Sequence, residues 1–268
     1  MPADAAGRHT RRRLRADLET LGLQAGDTVL VHAALRRVGP ILGGPDELIR
    51  ALCEAVGPSG TVLGYTDWQG EDEVLLVPEL RDQIPAFDPP ASRAIRANGA
   101  FPELLRTTPG ALRSANPGAS CTALGGRAAW FVADHALDYG YGPQSPFGKL
   151  VAAGGKTLLL GAPLDTMTLL HHAEHLAAIP GKRVRRYEAP LRIEGQTVWR
   201  RFEEFDTTEP VVAGLPEDYF ATVVSDFLAT GRGRRGTVGD APSVLVAANE
   251  IVPFAVAWLE GRAARPAP

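Results

Sequence analysis

Four short apolar runs, at residues 28–31, 60–64, 157–160 and 243–246, each stand between segments whose apolar residues recur every three to four positions. Runs of that length suit strands, and the longer period suits helices at 12–21, 46–56, 127–134, 217–230 and 249–260. Strands alternating with helices are expected to give an α/β fold with a central mixed β-sheet flanked by helices on both faces. With 268 residues and 45% hydrophobic content, one core can hold the chain, and residues 1–268 read as a single domain. Residues 184–207 alternate like an antiparallel hairpin turning near Glu194 and Gly195. The stretch 68–98, with Pro78, Pro85, Pro89 and Pro90, is too polar and proline-rich for core and reads as a wall or lid over a site. A tail from Gly261 onward is expected to fray.

The net charge of −3 makes no case for nucleic acid or an anionic membrane as partner. Arg8, Arg11, Arg12, Arg13 and Arg15 fall at the entrance of the first helix and read as a solvated face. The two cysteines, Cys53 and Cys121, form no C-x-x-C pair, which argues against a disulfide framework or a thiolate metal site and fits a reducing cytoplasm. Cys53 lies among Leu48, Ile49, Leu52 and Val56 and reads as a small buried hydrophobe. No stretch reaches the roughly 18 apolar residues a bilayer span needs, and a cytoplasmic location is the simplest expectation.

Chemistry concentrates in residues 156–183, KTLLLGAPLDTMTLLHHAEHLAAIPGKR. An apolar run ends at Gly161, Asp165 or Thr166 can cap a helix beginning just beyond, and Pro180 with Gly181 closes the far end, so a helix is predicted over 167–178. Leu169, Leu170, Ala173, Leu176 and Ala177 mark its apolar face, leaving His171, Glu174, His175 and Ala178 on another side. His171 and Glu174 are neighbours at i, i+3. A carboxylate there can fix the tautomer of the imidazole and raise the basicity of its other nitrogen, which suits a general base; a solvated surface pair fits the spacing too. His171 to His175 also reads H-x-x-E-H, the order of a zinc-binding helix, for which the acidic cluster at 203–206 could supply a third ligand. The loop in residues 31–52 places Gly39, Gly43, Gly44 and Pro45 between strand and helix, without the spacing of a G-x-G-x-x-G fingerprint or the Gly-Lys-Ser/Thr of a P-loop.

Taken in order, VHAALRRVGPILGG, GPSGTVLGYTDW, AFDPPAS, LRSANPGAS, GGKTLLLGAPLDTMTLLHHAE and IPGKR strongly resemble the aminoglycoside 3-N-acetyltransferase family, the antibiotic N-acetyltransferases that do not have the common GNAT fold. The resemblance runs from about Leu21 to Glu260. It implies an enzyme that moves an acetyl group from acetyl-CoA, without a metal, to the 3-amino group of the 2-deoxystreptamine ring of an aminoglycoside, conferring resistance. It further implies that His171 and Glu174 are catalytic, that Asp206 fills the acidic position after the hairpin, where with the neighbouring Glu204 it is expected to hold the cationic antibiotic, and that His32, Ala33, Ala34, Leu35, Val38 and Gly39 run along the cofactor with Arg113 and Ser114 nearby. Two segments depart from the family pattern: Ala33 and Ala34 stand where relatives often carry Ser, and Asn116 where they often carry His.

The acidic residues agree with a polycationic substrate. Asp67, Glu71, Asp72 and Glu73 form one cluster and Glu203, Glu204, Asp206 and Glu209 another, and with Tyr65 and Trp68 they suggest an acidic, partly aromatic pocket. No Ser or Cys sits in a recognisable nucleophile elbow, which favours direct transfer over an acetyl-enzyme. A zinc hydrolase and a non-catalytic CoA- or polyamine-binding protein are the alternatives, and a monomer and a homodimer are both compatible with the sequence.

Overall fold

The computed structural model describes residues 7–68, 70, 81 and 83–264. Its frame is a seven-stranded sheet built from β1 (Thr28–Ala33), β2 (Thr61–Tyr65), β3 (Leu112–Arg113), β4 (Cys121–Gly125), β5 (Lys156–Leu160), β8 (Arg234–Val238) and β9 (Ala241–Ala247). They lie side by side in the order β3-β4-β2-β1-β5-β9-β8. β2, β1 and β5 are parallel, with Val29 opposite Val62 and Val31 opposite Leu158, and the outer pairs are antiparallel. The sheet is therefore mixed, as expected.

Side chains alternate across the central strands and build two cores. Leu30, Leu63 and Leu159 face one layer, made with α4 (Ala128–Val132), α5 (Pro146–Ala152), α6 (Leu169–Leu176), α7 (Tyr219–Ala229) and α8 (Ala248–Ala263). Val29, Val31, Val62, Leu158 and Leu160 face the other, made with α1 (Arg11–Leu21), α2 (Asp46–Val56) and α3 (Phe101–Thr107). Helices thus cover both faces.

Five elements absent from the sequence reading are β3, β4, β8, α3 and α5. β8 reads RRGTV with all but its last residue exposed, so it carries no apolar run to find, and arginines on an edge strand discourage pairing with another chain. The final helix continues to Ala263, three residues into the stretch expected to fray. Arg11 lies 3.4 Å from both Glu47 and Glu54, and Arg13 and Arg15 pair with Asp17 and Glu19. Cys53 is half-buried rather than fully enclosed, Cys121 is buried, and burial pushes both thiols up.

The hairpin forms from β6 (Val184–Ile193) and β7 (Gln196–Phe205). Glu194 and Gly195 both take positive φ, 49° and 77°, as a tight two-residue turn matched to strand twist requires. Against it packs part of the segment read as too polar for core. Phe87 donates its amide to the Pro190 carbonyl at 2.7 Å and accepts from the Arg192 amide at 2.7 Å. Trp68, Phe87, Ala189, Leu191 and Phe202 then close a third small core. A few large apolar residues spaced among prolines are enough when a ready strand edge satisfies their backbone. Glu71, Asp72, Glu73 and Pro78 lie outside the described residues.

Candidate active site

The order of connection reverses at β1: the chain steps from β1 to β2 on one side and returns to β5 on the other. A crevice opens there beyond the strand C-termini, where ligands bind open α/β sheets. Gly161 ends β5 with φ 66°, a conformation that favours glycine, and turns the chain sharply into a 3₁₀ segment at Leu164–Thr166. α6 comes next, starting two residues later and ending two earlier than its predicted limits of 167 and 178. Thr168 stands at its N-terminus in helical backbone geometry without a side-chain cap, and neither Asp165 nor Thr166 caps it.

The faces of α6 differ in two places from the predicted ones. Leu176 is 44% exposed, whereas Glu174 is 2% exposed. At the first, Leu176 turns to solvent while Ala173 and Ala177 on either side of it stay in the core. The second is chemical. Glu174 is buried because its two oxygens are both taken: Oε2 lies 2.5 Å from His171 Nδ1, and Oε1 accepts from the Tyr219 hydroxyl. A carboxylate can only accept, so His171 Nδ1 carries the proton and Nε2 holds the free lone pair. The solvated-pair reading does not describe this geometry. The rings of Tyr141 and Phe220 both contact the imidazole, each with its centroid 4.9 Å away.

His171 lies on the shared wall of two clefts. One, about 370 Å³, is lined by His32, Ala33, Ala34, Tyr65, Gly99 and Thr168 among others. The second, about 230 Å³, adds Glu174, Thr208, Glu209 and Tyr219. A third, about 170 Å³, meets the first at Tyr65 and the second at Thr207 and Thr208, and contains Glu204 and Asp206. His171, Glu174, Tyr65, His32, Ala33, Ala34, Glu204 and Asp206 are therefore brought together around one branched crevice.

Other predicted residues stand behind its walls. Val38 is fully buried, and a Cβ on Gly39 would come within 2.1 Å of Asp240 Oδ2, so both belong to the packing beneath the first loop. Leu35 packs against the core of that face. Arg113 donates to Ser120 Oγ at 3.0 Å and to the carbonyls of Ser92 and Thr66, and burial lowers it to about 10. Ser114 Oγ accepts from the Cys121 amide at 3.0 Å and meets His135 Nδ1 at 2.8 Å. Trp68 is 4% exposed within the hairpin core, and Asp67 accepts from Asn98 Nδ2 at 2.6 Å. Asn116 has a full set of partners, donating to the carbonyls of Ala136 and Leu137 and accepting from the amides of Gly118 and Ala119.

Electrostatics divide the acidic residues. Asp206 is held below the usual carboxylate range by hydrogen bonds from Thr208 and by Arg183, whose Nε lies 3.2 Å away. Glu204 moves up, because burial outweighs the amides of Phe205, Gly140 and Tyr141 that it accepts. His32 is lowered to about 4 by burial, and its Nε2 has no partner among the described residues.

The H-x-x-E-H residues do not converge. His175 packs against Tyr139 and Phe205 while His171 packs against Tyr141 and Phe220, and among the described residues no group of three His, Cys, Asp or Glu is placed to hold a metal ion. Sequence reasoning missed Tyr219, Tyr141, Phe220 and Thr168. None carries a spacing signal: Tyr219 lies 45 positions beyond Glu174.

The family model of aminoglycoside 3-N-acetyltransferases matches residues 30–260. The chain belongs to that family. It is 45% identical to aminoglycoside N(3)-acetyltransferase III of Pseudomonas aeruginosa, covering 95% of this chain and 94% of that protein. Against aminoglycoside N(3)-acetyltransferase VIII of Streptomyces fradiae the identity is 46%, over 96% and 94%. Among solved structures, AAC-IIIb in a binary complex with CoASH superposes with a TM-score of 0.93 at 60% identity, over 97% of this chain and 99% of that one.

Proposed function

We propose that this protein transfers the acetyl group of acetyl-CoA to the 3-amino group of the 2-deoxystreptamine ring of an aminoglycoside, and that this modification confers resistance to the antibiotic. The observation that carries the reading is the buried Glu174 that fixes His171 Nδ1 and leaves Nε2 on the wall of two joined clefts. The family, and the CoASH bound by a close structural relative, support the choice of reactants.

The larger cleft suits the thin arm of the acyl donor, since its sheet end is lined by small side chains at Ala33, Ala34, Gly99 and Ala162. His32 would approach the same arm, while Leu35, Val38, Gly39, Arg113 and Ser114 shape the wall from behind. Glu204 and Asp206 in the third cleft would attract the cationic antibiotic, with Tyr65 between the two regions. His171 Nε2 takes the proton of the attacking amine as the C–N bond forms, and returns it to the thiolate as the C–S bond breaks. Glu174 keeps the ring oriented and offsets the charge of the imidazolium.

Thiol release from acetyl-CoA, measured with and without a 2-deoxystreptamine aminoglycoside, tests the reaction. Wild type should release thiol only with the antibiotic present, and His171→Ala should lower kcat by roughly 10² to 10⁴. A variant that keeps near-normal kcat would remove His171 from the mechanism.

A further inference from the structure

We infer that Tyr219 is a positioning residue for this reaction: its buried hydroxyl, donated to the second oxygen of the buried Glu174, completes a Tyr219–Glu174–His171 chain that sets how readily the catalytic pair takes up a proton. The inference rests on the reading of His171 as the base.

Three observations carry it. Glu174 has two oxygens and uses one for each partner, so neither bond substitutes for the other. Tyr219 is 3% exposed and stands at the first position of α7, where the indole of Trp258 in α8 stacks on it with centroids 6.0 Å apart and planes 14° from parallel. The Trp258 Nε1–H donates to Asp226 of α7 at 2.8 Å, which ties the two helices together around the phenol. Burial, then the charge of Glu174, raises Tyr219 well above the usual phenol range, so it remains a donor throughout the working pH range.

A hydrogen bond to a carboxylate is strongest when that carboxylate has no other positive partner. It therefore favours the pair with neutral imidazole over the pair with imidazolium, and its loss lets the pair hold a proton at higher pH. Among the described residues, the other charged groups facing the pair are Lys182, whose ammonium holds the carbonyls of Glu174 and His175, Glu204 near the imidazole, and Asp165, Glu209 and Glu217 on the cleft wall. None of them bonds to the phenol, so replacing Tyr219 leaves their contribution in place.

The test is Tyr219→Phe, which removes one oxygen and keeps the stack on Trp258, assayed beside wild type and His171→Ala across pH. The expected result is a roughly ten- to hundredfold fall in kcat/KM carried by kcat, with the acidic limb displaced upward by about one pH unit. An unshifted limb, whether kcat is unchanged or falls together with thermal stability, means that Tyr219 only packs and overturns the inference. Should Tyr219→Phe fail to fold, a fluorotyrosine at 219 keeps the ring and hydroxyl but donates more strongly, and must move the limb to lower pH; no movement again overturns it. Near-normal kcat in His171→Ala would instead refute the base assignment, a separate outcome from inactive His171→Ala beside an unaffected Tyr219→Phe.

Discussion

Asp206 combines a structural role with a place on the third cleft, where the proposed reading has it meet the antibiotic. Its Oδ1 accepts from the Thr208 amide at 3.1 Å and hydroxyl at 2.6 Å, which closes the turn after β7, while Oδ2 meets Arg183 and the carboxylate edge borders the third cleft. Asp206→Asn keeps the shape and removes the charge. It should raise KM for a polycationic aminoglycoside roughly ten- to a hundredfold while leaving KM for acetyl-CoA near wild type, since loss of a charged hydrogen-bond partner costs about 1.5–3 kcal/mol. Steady-state kinetics with each substrate varied in turn checks this, and equal changes would make Asp206 purely structural. Glu174→Gln should lower kcat by less than His171→Ala does, because the amide oxygen still orients Nδ1 but no longer offsets the imidazolium. A loss as large as that of His171→Ala would mean that charge, not orientation, is the carboxylate's main contribution.

Among the elements, the β6–β7 hairpin depends on a segment distant in sequence. Phe202, 1% exposed, anchors the third core against Phe87 and Tyr187, and the next residues of β7 lead to Glu204 and Asp206. Phe202→Ala should therefore destabilise this unit by about 3–5 kcal/mol, read by local hydrogen exchange in the hairpin. It should also raise KM for the antibiotic more than for acetyl-CoA, whose proposed cleft is built on the main sheet. Protection confined to wild-type values throughout the hairpin would show that the small core is not what holds it. α6 makes a second prediction: His171 Nδ1 is committed to Glu174 and the His175 ring lies in a different aromatic pocket. Full transferase activity in a strong chelator is expected, and stoichiometric zinc whose removal abolishes activity would restore the hydrolase reading.

At the scale of the whole molecule, three imidazoles, His135 buried and His32 and His175 partly so, are expected to shape the response to acid. His32, His135 and His175 are each lowered to about 4, burial being the first cause in all three. Unfolded, each returns toward the ordinary value near 6.5. Between those limits the unfolded chain binds protons that the folded one refuses, so stability is whole above about pH 6.5 and is lost progressively as pH falls toward 4. The midpoint of thermal unfolding should drop across that window, and His135→Gln should flatten the slope. A midpoint independent of pH from 6.5 to 4 would contradict the burial of these rings. Asp206 adds in the same direction, since its lowered carboxylate contributes stability present above its unfolded value and lost as pH falls through the folded one.

Local pattern alone determined the parts of this protein that repeat a period: the parallel strands, α2 over Asp46–Val56, the hairpin with its Glu194–Gly195 turn, and the His171–Glu174 pair one helical turn apart. The resemblance of six ordered segments supplied the family, which no periodicity could. Only the tertiary structure decided which side of α6 is buried, because Glu174 can leave water once Tyr219 and His171 satisfy it, and Tyr219 arrives from a helix far along the chain. The same holds for Trp68 and Arg113, read as site residues and found in a small core and a buried clamp. A hydrophobic period reports the average face a segment turns to the core; the placement of a single polar side chain depends on partners that the fold brings to it, and those partners carry no signal in its own stretch of sequence.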